Sequence, residues 1–412
     1  EFLPLEDKAK FTCDDEAVEK IWDMCSVTFH LNSREFYLDG IKRDRWVWSG
    51  DAYQSYMVNR YLYDDPSIIK RTIRALLGKP PYVQHINTIN DYSAYMIIGL
   101  YEYYFASGDS DFVRAVWSDI SSLYCYIASR LDENGYVVWR DGDWIFIDWS
   151  DFDKTGAFCA EQILLWQAYR SMSRLCAVVG EEDSYSEKAD ELHGKIMKDF
   201  WLEEKGAFID SFASGEKHIT RHANIFAILY DFVSHEQAQK IAENVLYNDE
   251  ITHITTPYFK LFELIALCRL GNITVMQDYI DSYWGEMIKL GATTVWEHFD
   301  PTQSGDEHLG MYGAEFGKSL CHAWGAGPIY LLGRFVAGVY PTAVGSAEFT
   351  VNPNPGKYKS FHSVVPVNDG TVTVNYDGEK LSVCSAASGG TLVFGDKTVK
   401  LPVDETVTIA VK

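Results

Sequence analysis

Basic residues are scarce in this chain. Its 412 residues include 36 lysines and arginines against 59 aspartates and glutamates, which leaves a formal net charge of −23. A nucleic-acid-binding protein needs a basic face to neutralise phosphates, so the composition disfavours nucleic acid as a partner. An anionic membrane surface would repel the chain for the same reason, so we expect no membrane partner.

Long apolar runs and cysteine clusters are also missing. No stretch of about 18 apolar residues could span a bilayer, and no secretory signal is visible. The eight cysteines form no CxxC pair and no group with histidine, which argues against structural zinc. They lie mostly in apolar helical patterns, so a reducing compartment, the cytoplasm, is the simpler expectation.

The sequence lacks the motifs of several large enzyme classes. It contains no GxSxG, no Walker loop and no GxGxxG between a strand and a helix. Serine-nucleophile hydrolases, NTPases and dinucleotide enzymes are therefore unsupported. His218 and His222 are four residues apart, but no HExxH motif accompanies them, and we interpret both as structural.

Aromatic residues are what the chain has in excess. Twelve Trp, 26 Tyr and 22 Phe make up 15% of the sequence. Flat rings stack on the C–H faces of sugars while nearby carboxylates bind the hydroxyl groups, so this composition is compatible with carbohydrate binding. Large helical cores also use many aromatic residues, and composition alone does not separate the two explanations.

Hydrophobic periodicity predicts helix after helix from residue 14 to about 337. Segment 91–107 is apolar on nearly all sides, whereas segment 184–200 has a single apolar stripe. An inner buried ring and an outer amphipathic ring of helices would produce this alternation. Further helices are expected at 49–62, 66–77, 111–130, 157–179, 222–232, 235–246, 256–270, 274–289 and 317–336.

The pattern changes near Gly338 to short alternating runs separated by the turn signals Asp377-Gly378 and Gly395-Asp396. These runs predict a small antiparallel β-sandwich. We therefore expect a helical domain at 11–338 and a β-sandwich domain at 339–412, with residues 1–10 as the end of an N-terminal β domain.

The densest polar segment is Asp39–Asp51, DGIKRDRWVWSGD. Acids beside aromatic rings suit a sugar site, because the rings form a wall and the carboxylates bind hydroxyls or carry protons. A structural loop is the alternative, in which Asp44 pairs with Arg43 or Arg45 and Asp51 caps the next helix.

Three further segments carry candidate chemistry. In GATTVWEHFDP, Glu297 lies between Trp296 and His298, and a carboxyl group held against apolar rings can act as an acid or base. A partly exposed glutamate at a helix end is the alternative. The Asp-Trp pairs of DGDWIFIDWSD could line a cleft or cap a turn. His322 in SLCHAW lies in a predicted helix, where a core role is more common than catalysis.

In this order, the segments resemble the bacterial α-L-rhamnosidases of glycoside hydrolase family 78. The family's signature loop reads roughly D-C-P-Q-R-D-E-R-x-G-W-T-G-D, and the matching positions here are Asp39, Arg43, Asp44, Arg45, Trp48, Gly50 and Asp51. Four further segments are similar to other motifs of the family. They are Asp91-Tyr92-Ser93, Asp148-Trp149, Thr293–Glu297, which matches the TTxWE motif, and Ser319–Trp324. Asp143-Trp144 competes with Asp148-Trp149 for the same alignment.

The resemblance implies an (α/α)6 barrel of six helical hairpins and an inverting glycosidase. Glu297 matches the family's general base. The general acid does not transfer directly, because this loop is one residue shorter and lacks the family's glutamate. Asp44 is the only acid between the matched arginines and is our candidate, with Asp39 or Asp51 as alternatives. The resemblance also implies that the sugar pocket is lined by Asp39, Arg43, Trp48, Asp51, Trp149 and His322.

The expected activity is removal of terminal α-L-rhamnose by two carboxyl groups, which requires neither a metal nor an organic cofactor. Alternatives are a glucoamylase-like, trehalase-like or unsaturated-uronyl hydrolase on the same barrel, a carbohydrate-binding protein that has lost catalysis, and a helical scaffold. Family members usually carry β domains before the barrel. Apolar surface left by a missing domain would favour a homo-oligomer.

Overall fold

The computed structural model describes residues 3–42, 44–368 and 370–411, so Arg43 lies outside the described residues. The α-helices are α1 Glu16–Asn32, α2 Ser49–Arg60, α3 Pro66–Leu77, α4 Asn90–Ser107, α5 Ser110–Ser129, α6 Cys159–Val179, α7 Ser186–Asp199, α8 Arg221–Leu229, α9 His235–Ile241, α10 Pro257–Arg269, α11 Ile273–Tyr279, α12 Gly285–Lys289 and α13 Gly327–Leu331. Single π-helical turns at Ala242–Leu246, Ile280–Trp284 and Leu332–Val336 extend α9, join α11 to α12 and extend α13.

Helices that are buried all round alternate along the chain with helices that bury one stripe. In α4, every residue of the segment 90–100 is buried, whereas α7 buries only Ala189, Leu192 and Ile196. The outer helices α1, α3 and α5 each begin at an aspartate whose side chain accepts a backbone N–H. Such N-caps let a helix begin without support from the core.

The inner helices close into a ring. Contacts run from α2 to α4, α6, α8, α10 and α13, and α13 contacts α2 again. This closure confirms the expected (α/α)6 barrel. Each outer element returns the chain between two inner helices, so the inner helices run in the same direction. We call the end that holds their N-termini the amino mouth and the end that holds their C-termini the carboxyl mouth.

The single helix predicted at 317–336 is wrong in its first half, since α13 begins only at Gly327. The backbone of Ser319 is used elsewhere: its N–H donates to the Glu297 carboxylate (3.0 Å) and its carbonyl accepts from the Glu297 N–H (2.9 Å). A Cβ at Gly325 would lie 2.2 Å from a methyl group of Val295, so the chain is also tightly packed there. The segment carrying His322 is therefore a loop.

The β strands are β1 Lys10–Cys13, β2 Trp201–Leu202, β3 Ala207–Phe208, β4 Val339–Pro341, β5 Phe349–Val351, β6 Phe361–Val367, β7 Gly370–Tyr376, β8 Lys380–Ser385, β9 Gly390–Phe394, β10 Lys397–Lys400 and β11 Thr406–Ala410. The strands that follow the barrel join β1 in a five-stranded sheet, β1-β6-β7-β8-β11, and form a four-stranded sheet, β10-β9-β5-β4, while β2 and β3 pair with each other within the helical region. Alternate residues of β7 and β8 are buried, as the period-2 pattern predicts.

Two details differ from a purely antiparallel C-terminal sandwich. Strands β5 and β9 pair in parallel, because a long excursion through β6–β8 separates them in the chain. Strand β1 pairs with β6, so the expected division at residue 11 falls inside a strand of the five-stranded sheet. The domain boundaries remain a prediction.

Among the described residues, no helix is long and apolar enough to cross a bilayer.

Candidate active site

Buried carboxylates gather at the amino mouth of the barrel. Asp51, Asp91 and Glu161 lie in the first turns of α2, α4 and α6 and are at most 3% exposed. The partial positive charge of a helix N-terminus stabilises acids at these positions. The sequence therefore places acids where the barrel scaffold can tolerate them.

Four of the expected site residues form one carboxylate–histidine cluster, which consists of Asp39, Asp51, Glu297 and His322. All four are buried, at 2 or 3% exposure. The His322 Nε2 lies 3.3 Å from the Asp51 Oδ1. The backbone ties the segments together, since the N–H of His322 donates to Val295 (2.9 Å). Residues 39–51, near the start of the chain, therefore meet residues 297–322 at this mouth.

The members of this cluster perturb one another's charge. Burial, with the negative charge of Asp51, raises the pKa of Asp39 to about 6. Burial also raises the pKa of Asp51, against the favourable hydrogen bond from His322. For His322, burial alone would lower the pKa, but Asp51, Glu297 and Asp39 outweigh it and raise the pKa above its ordinary value. The cluster can therefore hold a proton near neutral pH.

Glu297 is the most firmly held side chain of the cluster. The Ser319 N–H donates to its Oε2 (3.0 Å), and the Tyr312 hydroxyl donates to its Oε1. Its backbone carbonyl accepts from the indole N–H of Trp324 (3.0 Å). Both carboxylate oxygens thus accept a hydrogen bond, which fixes the orientation of this side chain.

A buried lysine that belongs to none of the candidate motifs lies near Glu297. Lys318 is buried, and its ammonium group has no hydrogen-bond partner among the described residues. Burial lowers the pKa of Lys318 to about 8, while the negative charges of Glu297 and Asp300 oppose that effect. Its position beside SLCHAW was the available signal.

Aromatic side chains connect the cluster to the loop that carries Trp149. The Trp149 ring centroid lies 5.1 Å from that of Tyr312 and 5.0 Å from that of Phe146. Tyr312, which bonds Glu297, therefore also touches this wall. Tyr312 stands between two glycines on the chain, Gly310 and Gly313, with no acid or repeated motif to mark it.

Trp48 reaches the cluster through Tyr92. The two ring centroids are 6.2 Å apart, and the Tyr92 hydroxyl donates to Asp51 at 3.5 Å. Tyr258 stacks on Trp324 at 4.8 Å, and its buried hydroxyl has no hydrogen-bond partner among the described residues. Both tyrosines add polar groups to a mostly apolar wall.

The aspartates of the two Asp-Trp pairs bond to other side chains of the fold. Asp148 accepts hydrogen bonds from His222 (3.0 Å) and Thr256 (2.6 Å), and Asp143 pairs with Arg130 at 2.7 Å. Both carboxylates therefore stabilise loops at the amino mouth. The described residues include no group of histidine, cysteine and acidic side chains arranged to hold a metal ion.

Asp44 differs from the buried carboxylates because its side chain is exposed. It is exposed on a turn between Lys42 and Arg45, and Arg45 is also exposed with a positive φ of 50°. Asp39 holds the same loop from inside, since its Oδ1 accepts the Trp46 N–H at 2.9 Å. The signature loop thus presents one buried and one exposed acid.

A family model supports the same interpretation of the fold. The bacterial alpha-L-rhamnosidase 6 hairpin glycosidase domain matches residues 6–336. This chain belongs to that family. The matched residues cover the ring of inner helices and the whole carboxylate–histidine cluster, so the six-hairpin architecture and the candidate site fall within one family domain.

Solved structures share the fold at low sequence identity. A rhamnosidase of glycoside hydrolase family 78 from Bacillus sp. GL1 is 23% identical with a TM-score of 0.84, over 96% of this chain and 43% of that chain. A Streptomyces avermitilis α-L-rhamnosidase complexed with L-rhamnose is 15% identical with a TM-score of 0.76, over 95% of this chain and 39% of that chain. A Klebsiella oxytoca rhamnosidase with rhamnose bound is 24% identical with a TM-score of 0.67, over 78% of this chain and 64% of that chain.

These solved chains are longer than this one, which spans between 39% and 64% of their lengths. The likeness therefore concerns the barrel and the sheets beside it. Among curated proteins, none matches this chain significantly.

Proposed function

We propose that this protein removes terminal α-L-rhamnose from glycosides or polysaccharides by an inverting, two-carboxylate mechanism. The observation that carries the proposal is the position of Glu297. It is buried with Asp39, Asp51 and His322, and its carboxylate is oriented by Tyr312 and Ser319. A general base must be held in this way to act on one water molecule.

In the proposed reaction, Glu297 accepts a proton from a water molecule, and the water oxygen attacks the anomeric carbon as the glycosidic bond breaks. Asp44 gives its proton to the departing oxygen. Inversion requires roughly 6.5–9.5 Å between the two carboxyl groups, which leaves room for the water. Asp39, Asp51 and His322 supply hydrogen-bonding groups for the sugar hydroxyls, and Trp149 supplies an apolar wall suited to the C6 methyl group.

Asp44 as the acid is supported by its position in the signature loop and by its exposure, because the leaving group of an exo-acting enzyme departs towards solvent. Asp39 is the alternative acid. Its raised pKa of about 6 would keep it protonated in mildly acidic solution, as a proton donor requires. We assign the acid role to Asp44, and the variants Asp44→Asn and Asp39→Asn separate the two residues.

The test is hydrolysis of p-nitrophenyl α-L-rhamnoside and of one natural rhamnoside with a poor leaving group. We expect Glu297→Gln to lower kcat/KM at least 10³-fold on both substrates. Asp44→Asn should lower kcat/KM mainly on the natural substrate, by about 10²-fold or more, since the departure of nitrophenol needs little help from an acid. Glu187→Gln, an exposed residue on outer helix α7, is the matched control and should leave both rates unchanged.

Three outcomes would contradict the assignment. A folded wild-type protein that releases product from neither substrate would refute the proposed activity. Retention of the α-anomer in the first product, followed by NMR, would refute inversion. If Asp39→Asn rather than Asp44→Asn caused the leaving-group-dependent loss, and also removed a fall in rate above about pH 6, Asp39 would be the acid.

A second candidate is favoured by one observation, the buried ammonium of Lys318 beside Glu297. A cation in this position would suit a glycoside whose sugar carries a carboxylate, as an unsaturated-uronyl hydrolase does. Hydrolysis of an unsaturated glucuronide that Lys318→Met weakens at least tenfold, with no hydrolysis of the rhamnoside, would support this candidate over the first.

A further inference from the structure

A large cavity opens at the carboxyl mouth, at the end of the barrel opposite to the candidate active site. Its volume is about 1570 Å³. The C-terminal halves of the inner helices line its wall, and Ser346 and Ala387 of the β region line one side. The proposed hydrolysis uses none of these residues.

The charge of this cavity opposes that of the whole chain. Among the described residues, the lining includes six basic side chains, Lys8, Arg60, Arg170, Arg174, Arg269 and Arg334, and three acidic ones, Asp64, Glu102 and Asp231. The chain as a whole carries a net charge of −23. A local excess of positive charge in an acidic protein attracts small anions to this site.

Three of these arginines are used by the fold. Arg170 donates to the carbonyl of Tyr230 (3.1 Å), and Arg269 donates to the carbonyl of Leu229 (2.8 Å). Both contacts satisfy carbonyl groups at the end of α8, where cations are favourable. Arg60 donates to the hydroxyl of Ser346 at 2.6 Å. These contacts account for their presence without a ligand.

Arg174 and Arg334 are different. The guanidinium of Arg334 lies 3.7 Å from the ring centroid of Tyr340, and that of Arg174 lies 5.0 Å from that of Tyr101. In the part of the chain that the structure describes, neither guanidinium has a hydrogen bond or an ion pair. A cation–π contact uses the face of each guanidinium and leaves its N–H donors available for a planar or tetrahedral oxyanion.

The wall of the cavity also offers hydrogen-bonding groups without charge. The carbonyl oxygen of Gln167 has no hydrogen-bond partner among the described residues, although this side chain is only 7% exposed. The Tyr230 hydroxyl, on a side chain that is 6% exposed, interacts only with the neighbouring Tyr53 hydroxyl. Beside them the Tyr53 hydroxyl donates to Glu102 at 2.8 Å. Buried polar groups of this kind are normally paired, so these two are suited to a ligand that carries hydroxyl groups.

We propose that the cavity at the carboxyl mouth binds a small acidic sugar, with its carboxylate or phosphate on Arg174 and Arg334 and its hydroxyl groups towards Tyr230 and Gln167. This second site is separate from the candidate active site. The proposal rests on the contacts of the cavity alone and does not depend on the proposed hydrolysis.

The experiment is isothermal titration calorimetry of the full chain with glucose 6-phosphate, glucuronate, glucose and inorganic phosphate. We expect saturable binding of at least one acidic sugar, with glucose and inorganic phosphate at least tenfold weaker. Glucose 6-phosphate and glucuronate then distinguish a phosphate from a carboxylate ligand. Arg174→Gln and Arg334→Gln should each weaken this binding about tenfold, the effect of losing a charge-assisted hydrogen bond.

Two controls keep the result specific. Arg114→Gln removes an exposed arginine of α5 outside the cavity and should leave binding unchanged. Glu297→Gln should also leave it unchanged, which separates this cavity from the candidate active site. Thermal unfolding of each variant without ligand verifies that it is folded.

Four results would overturn the proposal. These are no saturable binding of either acidic sugar, equal binding of inorganic phosphate or glucose, unchanged affinity in both folded arginine variants, and loss of binding in Glu297→Gln. Equal binding of inorganic phosphate would mean that the hydroxyl-bonding wall contributes nothing.

Discussion

The two mouths of the barrel have opposite chemistry although the same six helices build both. At the amino mouth, Asp51 and Asp91 lie in the first turns of their helices, and at the carboxyl mouth Arg60 and Arg269 lie in the last turns. Aligned peptide dipoles place partial positive charge at one end and partial negative charge at the other. A ring of parallel helices therefore favours carboxylate chemistry at one mouth and a basic cavity at the other.

Buried cations near helix N-termini are exceptions to this rule at the amino mouth. Arg221 lies in the first turn of α8 and is fully buried. Its guanidinium pairs with Glu263 at 2.7 Å and donates to the carbonyl of Leu246 at 2.7 Å. Lys260 also pairs with Glu263, at 2.6 Å. A single carboxylate thus pairs with both buried cations, so these exceptions depend on Glu263.

The largest effect on stability should come from removing that carboxylate. Glu263→Gln leaves the charges of Arg221 and Lys260 uncompensated in the interior, so we expect the free energy of unfolding to fall by about 3–5 kcal/mol. Urea unfolding followed by circular dichroism measures this change. Glu250→Gln, an exposed residue of a neighbouring loop, is the control. A loss no larger than that of the control would show that the buried ions contribute little.

A smaller effect is expected from Glu102 at the carboxyl mouth. Burial raises the pKa of Glu102 to about 7, against the hydrogen bond from Tyr53 and the charge of Arg174. Because the folded pKa lies above the unfolded value, the folded state binds more protons, and stability falls as pH rises from about 4.5 to about 7. Glu102→Gln removes this contribution.

The difference in the free energy of unfolding between Glu102→Gln and wild type should shift by ~2 kcal/mol in favour of the variant as the pH rises from 5 to 8. Urea unfolding at both pH values measures it, with the exposed Glu181→Gln as the control. An equal pH dependence in wild type and variant would mean that Glu102 ionises in the folded protein as it does in water.

The smallest effect should appear at the amino mouth, in a residue that orients the proposed base. Tyr312→Phe removes the hydroxyl that donates to Glu297, so we expect kcat on the nitrophenyl rhamnoside to fall about tenfold. Stability should change little, because Tyr312 is 42% exposed. Tyr247→Phe, with 45% exposure, is the matched control. An unchanged kcat would show that Ser319 alone orients Glu297.

Much of the fold could be predicted because helix burial is a local property of sequence. The single stripe of α7 and the all-round apolar surface of α4 each predicted the ring to which the helix belongs. The alternating residues of β7 likewise predicted a strand with one buried face. The first half of the predicted helix at 317–336 is wrong because the backbone of Ser319 bonds to Glu297, a partner 22 residues away.

The candidate site was predicted unevenly. Glu297 and His322 were found through motifs, and the structure places both in the buried cluster. Tyr312 and Lys318 belong to no motif. The hydrogen bond to Glu297 identifies Tyr312, and burial within the electrostatic influence of Glu297 identifies Lys318. The role of Asp44 stays a prediction, and Arg43 lies outside the described residues.

The sequence by itself determined the helical hairpins, the sheets that follow them and the types of residue available for chemistry, since periodic burial and turn signals act over a few residues. Only the tertiary structure decided which of those residues meet. Asp39 and His322 are 283 positions apart in the chain, and the closed ring of inner helices brings them together. The basic cavity has the same origin, because its five arginines come from α2, α6, α10 and the turn that extends α13, and the barrel imposes the common direction of these elements.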